Sequence, residues 1–328
     1  MTMRQKRLVR RVLSLLALAV VVVLVVTAVK RDRQDGDEPA PADAVTDHDA
    51  QYTALTYDNG SATLSFALDE TGKWIWADLP QFPLDDTSVQ KILGLLTGLQ
   101  PQQTLTQPEA LEEYGLDDPT MTLTAQRDDG TELTAAIGRK VIGDSDGDFL
   151  MLNGDETVVY IVDSALSTEL SRSIYSMMDL PELPAIGEDR FRRVTAEAGE
   201  LLTVCTAFPS GEGAPLSWRS GGANVTDSPR LRDLLAALSA LTVDACLDYN
   251  PSAAAESLCG FDTPAATVTV KYTDENDTDR TLTLTVGGLA PDGNSRCVRV
   301  NDDSTIYTMA ADRLAPVLTV AEIGLEEG

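Results

Sequence analysis

Tyr114-Gly115-Leu116-Asp117-Asp118-Pro119 returns further along the chain as Cys259-Gly260-Phe261-Asp262-Thr263-Pro264. An alternating run follows each copy, Met121–Ala125 and Ala266–Val270. A second run then ends on glycine, Leu133–Gly138 and Leu282–Gly287. Beyond it each half reaches a tyrosine, Tyr160 or Tyr307. Upstream, Thr56–Gly60 answers to Thr195–Gly199, Trp76 to Trp218, and Val89/Ile92/Leu96/Leu99 to Leu231/Leu234/Leu238/Leu241. The offset between copies grows from 139 to 149 residues, as small loop insertions would make it. One unit is written twice, and its internal pattern decides the fold.

Within each copy the hydrophobic period switches between two and three-to-four. Residues 62–68 and Trp74–Trp76 alternate around a turn at Asp69–Gly72 and predict a hairpin. Asp85 or Asp86 then caps a helix whose apolar residues recur at three and four, through Leu99. Strands are expected over 120–127, 131–137, 148–152 and 157–162, with a second helix from Asp163 to about Met177. Repeat two predicts strands over 200–207, 216–219, 266–273, 280–286, 296–300 and 304–308, with a helix over 228–241. Helix-like runs at 108–114 and 252–259 place Gly115 and Gly260 where a positive φ ends a helix. Local hairpins dominate, so the sheets should be mostly antiparallel and the class α+β. The two prolines of Leu180–Gly187 divide the halves, giving repeats over 51–183 and 184–328, each expected to bury its own core.

The N-terminus reads as an anchor. Val12–Val29 carries no charge, and at 1.5 Å per residue it reaches across a hydrocarbon core. Five basic residues in the 1–11 tail precede it, which puts the N-terminus in the cytoplasm and the body outside the cell membrane. The rival is a signal peptide cleaved after Ala28; the length of the apolar run and the following Lys30-Arg31 speak against it. Residues 30–50 are acidic and rich in Pro and Ala, the composition of a disordered tether. Beyond Arg31 the body holds 18 basic against 52 acidic residues, a balance of −34. That charge excludes nucleic acid as a partner and favours basic ones.

The Trp-bearing strands, the amphipathic helix, the Tyr114–Pro119 step, the glycine-terminated strand at Gly138 and the strand ending at Tyr160 together resemble the DUF4340 family. Repeat two departs from that pattern at Cys259 and Phe261, where the family shows Tyr and Leu. The resemblance covers residues 52 to 320. It implies a bacterial membrane-anchored protein of unknown activity, often encoded beside ABC-type transporter components, and it carries no catalytic residues.

Side-chain chemistry narrows the function further. His48 is the only histidine and falls in the tether, so neither domain can assemble a Ser-His-Asp or Cys-His arrangement or a histidine-bearing zinc site. Ser88-x-x-Lys91 has the spacing of a serine nucleophile with its lysine base, without the companion elements of that enzyme class. Asp144, Asp146 and Asp148 alternate, and Asp155 could complete an oxygen set for calcium, the one cofactor the sequence suggests. A hairpin turn explains the same residues. Cys205, Cys246, Cys259 and Cys297 all lie in repeat two, with three connectivities open or as buried free thiols. Trp74, Trp76 and Trp218 could stack a sugar ring, or belong to the core. The chain is expected to be a non-enzymatic binding or scaffold protein of a membrane complex of transporter type. A module for a cell-wall glycan is the alternative, and a carboxylate-dependent hydrolase the third reading.

Overall fold

In the computed structural model each half of the chain folds into an antiparallel sheet, and the two sheets share one strand order. The structure describes residues 43–141, 147–211 and 215–325. The expected transmembrane helix (12–29), the tether as far as residue 42, and Asp144 and Asp146 lie outside the described residues. No helix among the described residues is long and apolar enough to cross a membrane.

Sheet one contains β1 (Tyr52–Asp58), β2 (Thr63–Leu68), β3 (Trp74–Trp76), β4 (Gln103–Thr106), β5 (Met121–Arg127), β6 (Glu132–Lys140), β7 (Asp148–Leu152) and β8 (Val158–Val162). Their spatial order is β3-β2-β1-β5-β6-β7-β8-β4. Sheet two contains β9 (Phe191–Ala198), β10 (Leu201–Phe208), β11 (Ser217–Ser220), β12 (Ala223–Asn224), β13 (Ala245–Asp248), β14 (Ala266–Thr273), β15 (Asp279–Leu289), β16 (Ser295–Val300) and β17 (Ile306–Ala310). Their order is β12-β11-β10-β9-β14-β15-β16-β17-β13, the first order with one short edge strand added. Every recorded pairing in both sheets is antiparallel.

The duplication extends to single backbone atoms. Gly115 (φ 66°) ends a 3₁₀ turn over Leu111–Tyr114, and Gly260 (φ 78°) follows the helix Ala253–Leu258. A Cβ on Gly138 would lie 2.1 Å from the Tyr114 carbonyl oxygen; on Gly287 it would lie 2.1 Å from that of Cys259. In both repeats, therefore, the turn crosses directly over the glycine of the strand. Register corrects one match made from sequence. Leu55 faces Phe66 as Val194 faces Cys205, and two residues further along, Leu68 faces Trp74 as Ala207 faces Trp218. Trp218 is thus the counterpart of Trp74, not of Trp76.

Helix α1 (Asp86–Leu96) begins where the Asp85 carboxylate accepts the Thr87 N–H, and it buries Val89, Ile92, Leu93 and Leu96 against the sheet. It stops before Leu99 because the chain returns on it. Val45 N–H donates to Leu99 O at 2.8 Å, Thr46 Oγ1 accepts from Leu99 N–H at 2.7 Å, and the His48 ring lies against Gly98. The tether expected over 30–50 therefore gives way to a packed segment at Val45. A few side-chain and backbone bonds to a helix end hold it, and composition carries no sign of those. The helix expected over 163–177 is two pieces, α2 (Ala165–Leu170) and a 3₁₀ turn (Ile174–Met177). Ser171 and Ser173 bond to neighbouring backbone between them and break the ladder.

Repeat two places α3 (Pro229–Ser239), α4 (Ala253–Leu258) and α5 (Ala311–Ile323) in the matching layers. Most buried side chains of both sheets form one connected cluster that spans the two halves, where separate cores were expected. The halves meet through aromatic residues: Phe82 packs edge-on to Tyr249 at 5.2 Å, and Tyr175 donates to Asp248 at 3.2 Å.

Candidate functional site

A groove of about 650 Å³ opens in repeat two between β11, α3 and the linker residues Glu188 and Asp189. Ser228 accepts the Leu231 N–H, and Pro229 sits at the first helical position, fixing the rotation of α3. Leu231, Leu234 and Leu238 then turn to the core. Leu235, half-buried at the edge of that stripe, and the exposed Ala236 line the groove beside Arg232. The facing wall is Leu216 and Trp218; Trp218 N–H donates to Thr226 Oγ1 at 2.8 Å, which pins the short β11–β12 hairpin. The loop between β3 and α1 of repeat one carries Phe82 and Leu84 into the core. Its counterpart, Gly221–Ser228, has only Val225 as a large apolar residue, so this loop brings no such bulk to the space beside α3. The groove is apolar in its floor, acidic at Glu188 and Asp189, and basic at Arg232. It suits a ligand with an apolar face and charge at its edges.

Ser88 and Lys91 lie on one face of α1, but Lys91 is committed elsewhere. Its ammonium pairs with Glu169 of α2, whose other oxygen takes Arg172 Nη1 at 3.1 Å. First the Lys91 hydrogen bond and then Arg172 hold the Glu169 carboxyl below its ordinary range, against a burial that pushes it up. With its nitrogen on Glu169, Lys91 is not placed as a base for Ser88. Ser88 itself is buried, donating to Asp85 at 3.3 Å and lying 3.5 Å from Arg172. The cluster is an ion-pair clamp between two helices.

Of the calcium set only Asp148 and Asp155 are described, and these two are not brought together. Asp148 opens β7, is 2 % exposed, and accepts from Ser167 of α2. Asp155 lies past the other end of the same strand, about 20 Å away at a strand's rise per residue. There it closes a turn on Thr157 at 3.0 and 2.6 Å. Among the described residues no group of three or more His, Cys, Asp or Glu could hold a metal.

Two of the three tryptophans are buried, and Trp76 is half-buried. Trp74 and Trp218 are 5 % and 4 % exposed, and Trp76 packs edge-on to Phe82 at 5.5 Å. All four cysteines are buried free thiols, and burial pushes Cys205 to about 11 and Cys246 to about 12. Sequence reasoning missed the groove. Leu235 gave no signal, because with Leu231, Leu234 and Leu238 it completes an ordinary amphipathic stripe.

The family described as Domain of unknown function (DUF4340) matches the chain over residues 74–204 and 219–318. No curated protein and no solved structure matches.

Proposed function

The chain belongs to the DUF4340 family, a domain of unknown function, and on that premise we propose that it is a single-pass, cytoplasm-in membrane protein whose extracytoplasmic body binds a partner protein as an accessory of an ABC-type transporter complex. The groove beside α3 carries the reading. An apolar floor with acidic and basic edges fits a peptide segment that presents apolar side chains flanked by charge. The body's balance of −34 favours a segment that is basic. A glycan module is less well supported, since it needs an exposed aromatic platform, and Trp74 and Trp218 are buried while Trp76 is half-buried against Phe82. A carboxylate hydrolase needs two acids flanking the scissile bond, whereas Glu188 and Asp189 are consecutive and line the groove from one side.

Two experiments test the proposal. A photoreactive phenylalanine analogue at Leu235, in the full chain in its native membrane, should crosslink to a transporter-type membrane subunit. Leu235→Glu should lower co-purification of that subunit at least tenfold with the melting temperature held within a few degrees. Co-purification unchanged by Leu235→Glu would remove the groove from the function. N-terminal sequencing of the mature protein should begin in the 1–11 tail, and external protease should reach the body; a chain that starts at Val29 would sink the anchored reading.

A further inference from the structure

We infer that Cys259 and Cys297 are a dithiol pair that closes to a disulfide, a redox-sensitive clasp built into repeat two alone. The argument starts from what stands in the same places in repeat one. Ile137 faces Leu150 across β6–β7 as Val286 faces Val298 across β15–β16, so Cys297 occupies the position of Phe149. Cys259 precedes the positive-φ glycine and arches over the strand glycine, as Tyr114 does. In repeat one these two positions touch: the Tyr114 and Phe149 rings meet edge-on with centroids 5.0 Å apart. The fold therefore brings the two positions together in both copies. It is filled by an aromatic pair in one and by two thiols in the other.

The local geometry of repeat two agrees. Cys259 O accepts the Gly288 N–H at 2.7 Å. A Cβ on Gly287 would lie 2.1 Å from Cys259 O and 3.4 Å from Cys297 O, so both cysteines bracket one glycine. The two side chains sit with Ala290 and Ile306 in a small cluster separate from the main core. Burial, and then the adjoining Cys259 thiol, push Cys297 up to about 12. The other two cysteines have no such partner. Cys246 is in register with Tyr307, which faces Val298, so it shares the face of Val298 and points away from Cys297. Cys205 is on β10, six strands from Cys246 in the sheet order, about 29 Å at the usual strand spacing. Of the three connectivities only this pair is within reach.

The oxidant required is another disulfide, of low molecular weight or on a protein. Cys259 is the entry point: it is 8 % exposed against 1 % for Cys297 and follows the open Leu258. Its thiolate attacks one sulfur of the incoming disulfide and expels a thiolate, leaving a mixed disulfide on Cys259. Cys297 then gives up its proton, attacks Cys259 Sγ and expels the second thiolate. Two protein thiols and one disulfide become one protein disulfide and two free thiols, with two electrons passing to the oxidant.

The full chain, purified reduced and equilibrated with oxidised or reduced glutathione, tests this by intact mass after denaturing alkylation. Four cysteines should be alkylated after reduction and two after oxidation, with peptide mapping linking Cys259 to Cys297. Closing a loop of about 40 residues should raise the melting temperature by about 10 °C. Cys205→Ser/Cys246→Ser should keep this response. Cys259→Tyr/Cys297→Phe, which transplants the pair of repeat one, should fold and lose it. Four alkylated cysteines after oxidation, a glutathione adduct that persists on Cys259, or a link to Cys205 or Cys246 would overturn the assignment.

Discussion

Gly138→Ala is expected to lower the unfolding free energy by more than about 3 kcal/mol, and Gly287→Ala should do the same in the other repeat. Neither glycine has a positive φ, so conformational freedom is not the reason. The reason is a backbone crossing: one methyl group would be driven to 2.1 Å from a carbonyl oxygen, Tyr114 O or Cys259 O. A flexible side chain could retreat, but here the obstacle is main chain. At Gly287 the following N–H is also bonded to that same oxygen at 2.7 Å, so relief would break the bond. Gly94 is the control. It is exposed on α1 with nothing within 4 Å of a new Cβ, and Gly94→Ala should raise stability by about 0.5–1 kcal/mol. Urea unfolding of the three variants decides. Equal effects at Gly94 and Gly138 would show that the crossing does not hold the repeat.

The second large effect belongs to Glu169. Glu169→Ala should cost about 2–4 kcal/mol at neutral pH, because it strands Arg172 without a counter-charge against a largely buried helix contact. Lys91→Met should cost no more than about 1 kcal/mol, since the Lys91 side chain is 61 % exposed and solvent screens its pair. The pH dependence follows in sign. The folded carboxyl titrates below its ordinary value of 4.5. The pair's stability is therefore present above that value and is lost as pH falls through the lower folded one. Glu169→Gln should flatten the acid limb of the stability curve below about pH 4.5. Other carboxylates such as Asp69 and Asp274, also held low by hydrogen bonds, leave a residual slope in both proteins. Parallel acid limbs for wild type and Glu169→Gln would remove the clamp.

The elements read from sequence were those whose burial alternates or recurs strongly. Leu123, Ala125, Leu133, Ala135 and Ile137 are inward residues of β5 and β6, and polar neighbours separate them in the chain. Of the elements missed, β1 and β9 do alternate, at Leu55 and Tyr57 and at Val194 and Ala196, but β4 and α5 carry no such signal. The strand β4 has one half-buried residue in four and exists because it pairs with β8. Helix α5 contains Pro316, which argues against a helix locally; packing of Leu314, Val317, Leu318 and Val320 overrides it. The groove was invisible for a related reason. An open space is made by what a loop fails to supply, here the bulk that Phe82 and Leu84 give repeat one.

Sequence by itself determined the duplication, the antiparallel α+β class, the two glycine-ended turns and the family. All of these are written in local periods and in residues with special backbone demands, such as Gly115 and Gly260. Tertiary structure alone decided which residues meet. Register made Trp218 the partner of Trp74. The length of β7 drew Asp148 and Asp155 apart, and the return of the chain onto Gly98 turned the end of a tether into packed structure. It also set Cys259 beside Cys297, though 37 residues of chain lie between them. The physical reason is plainest for the tryptophan register. Pairing across a sheet is fixed by hydrogen-bond register and strand rise, which depend on how distant segments align and not on the identity of either segment alone.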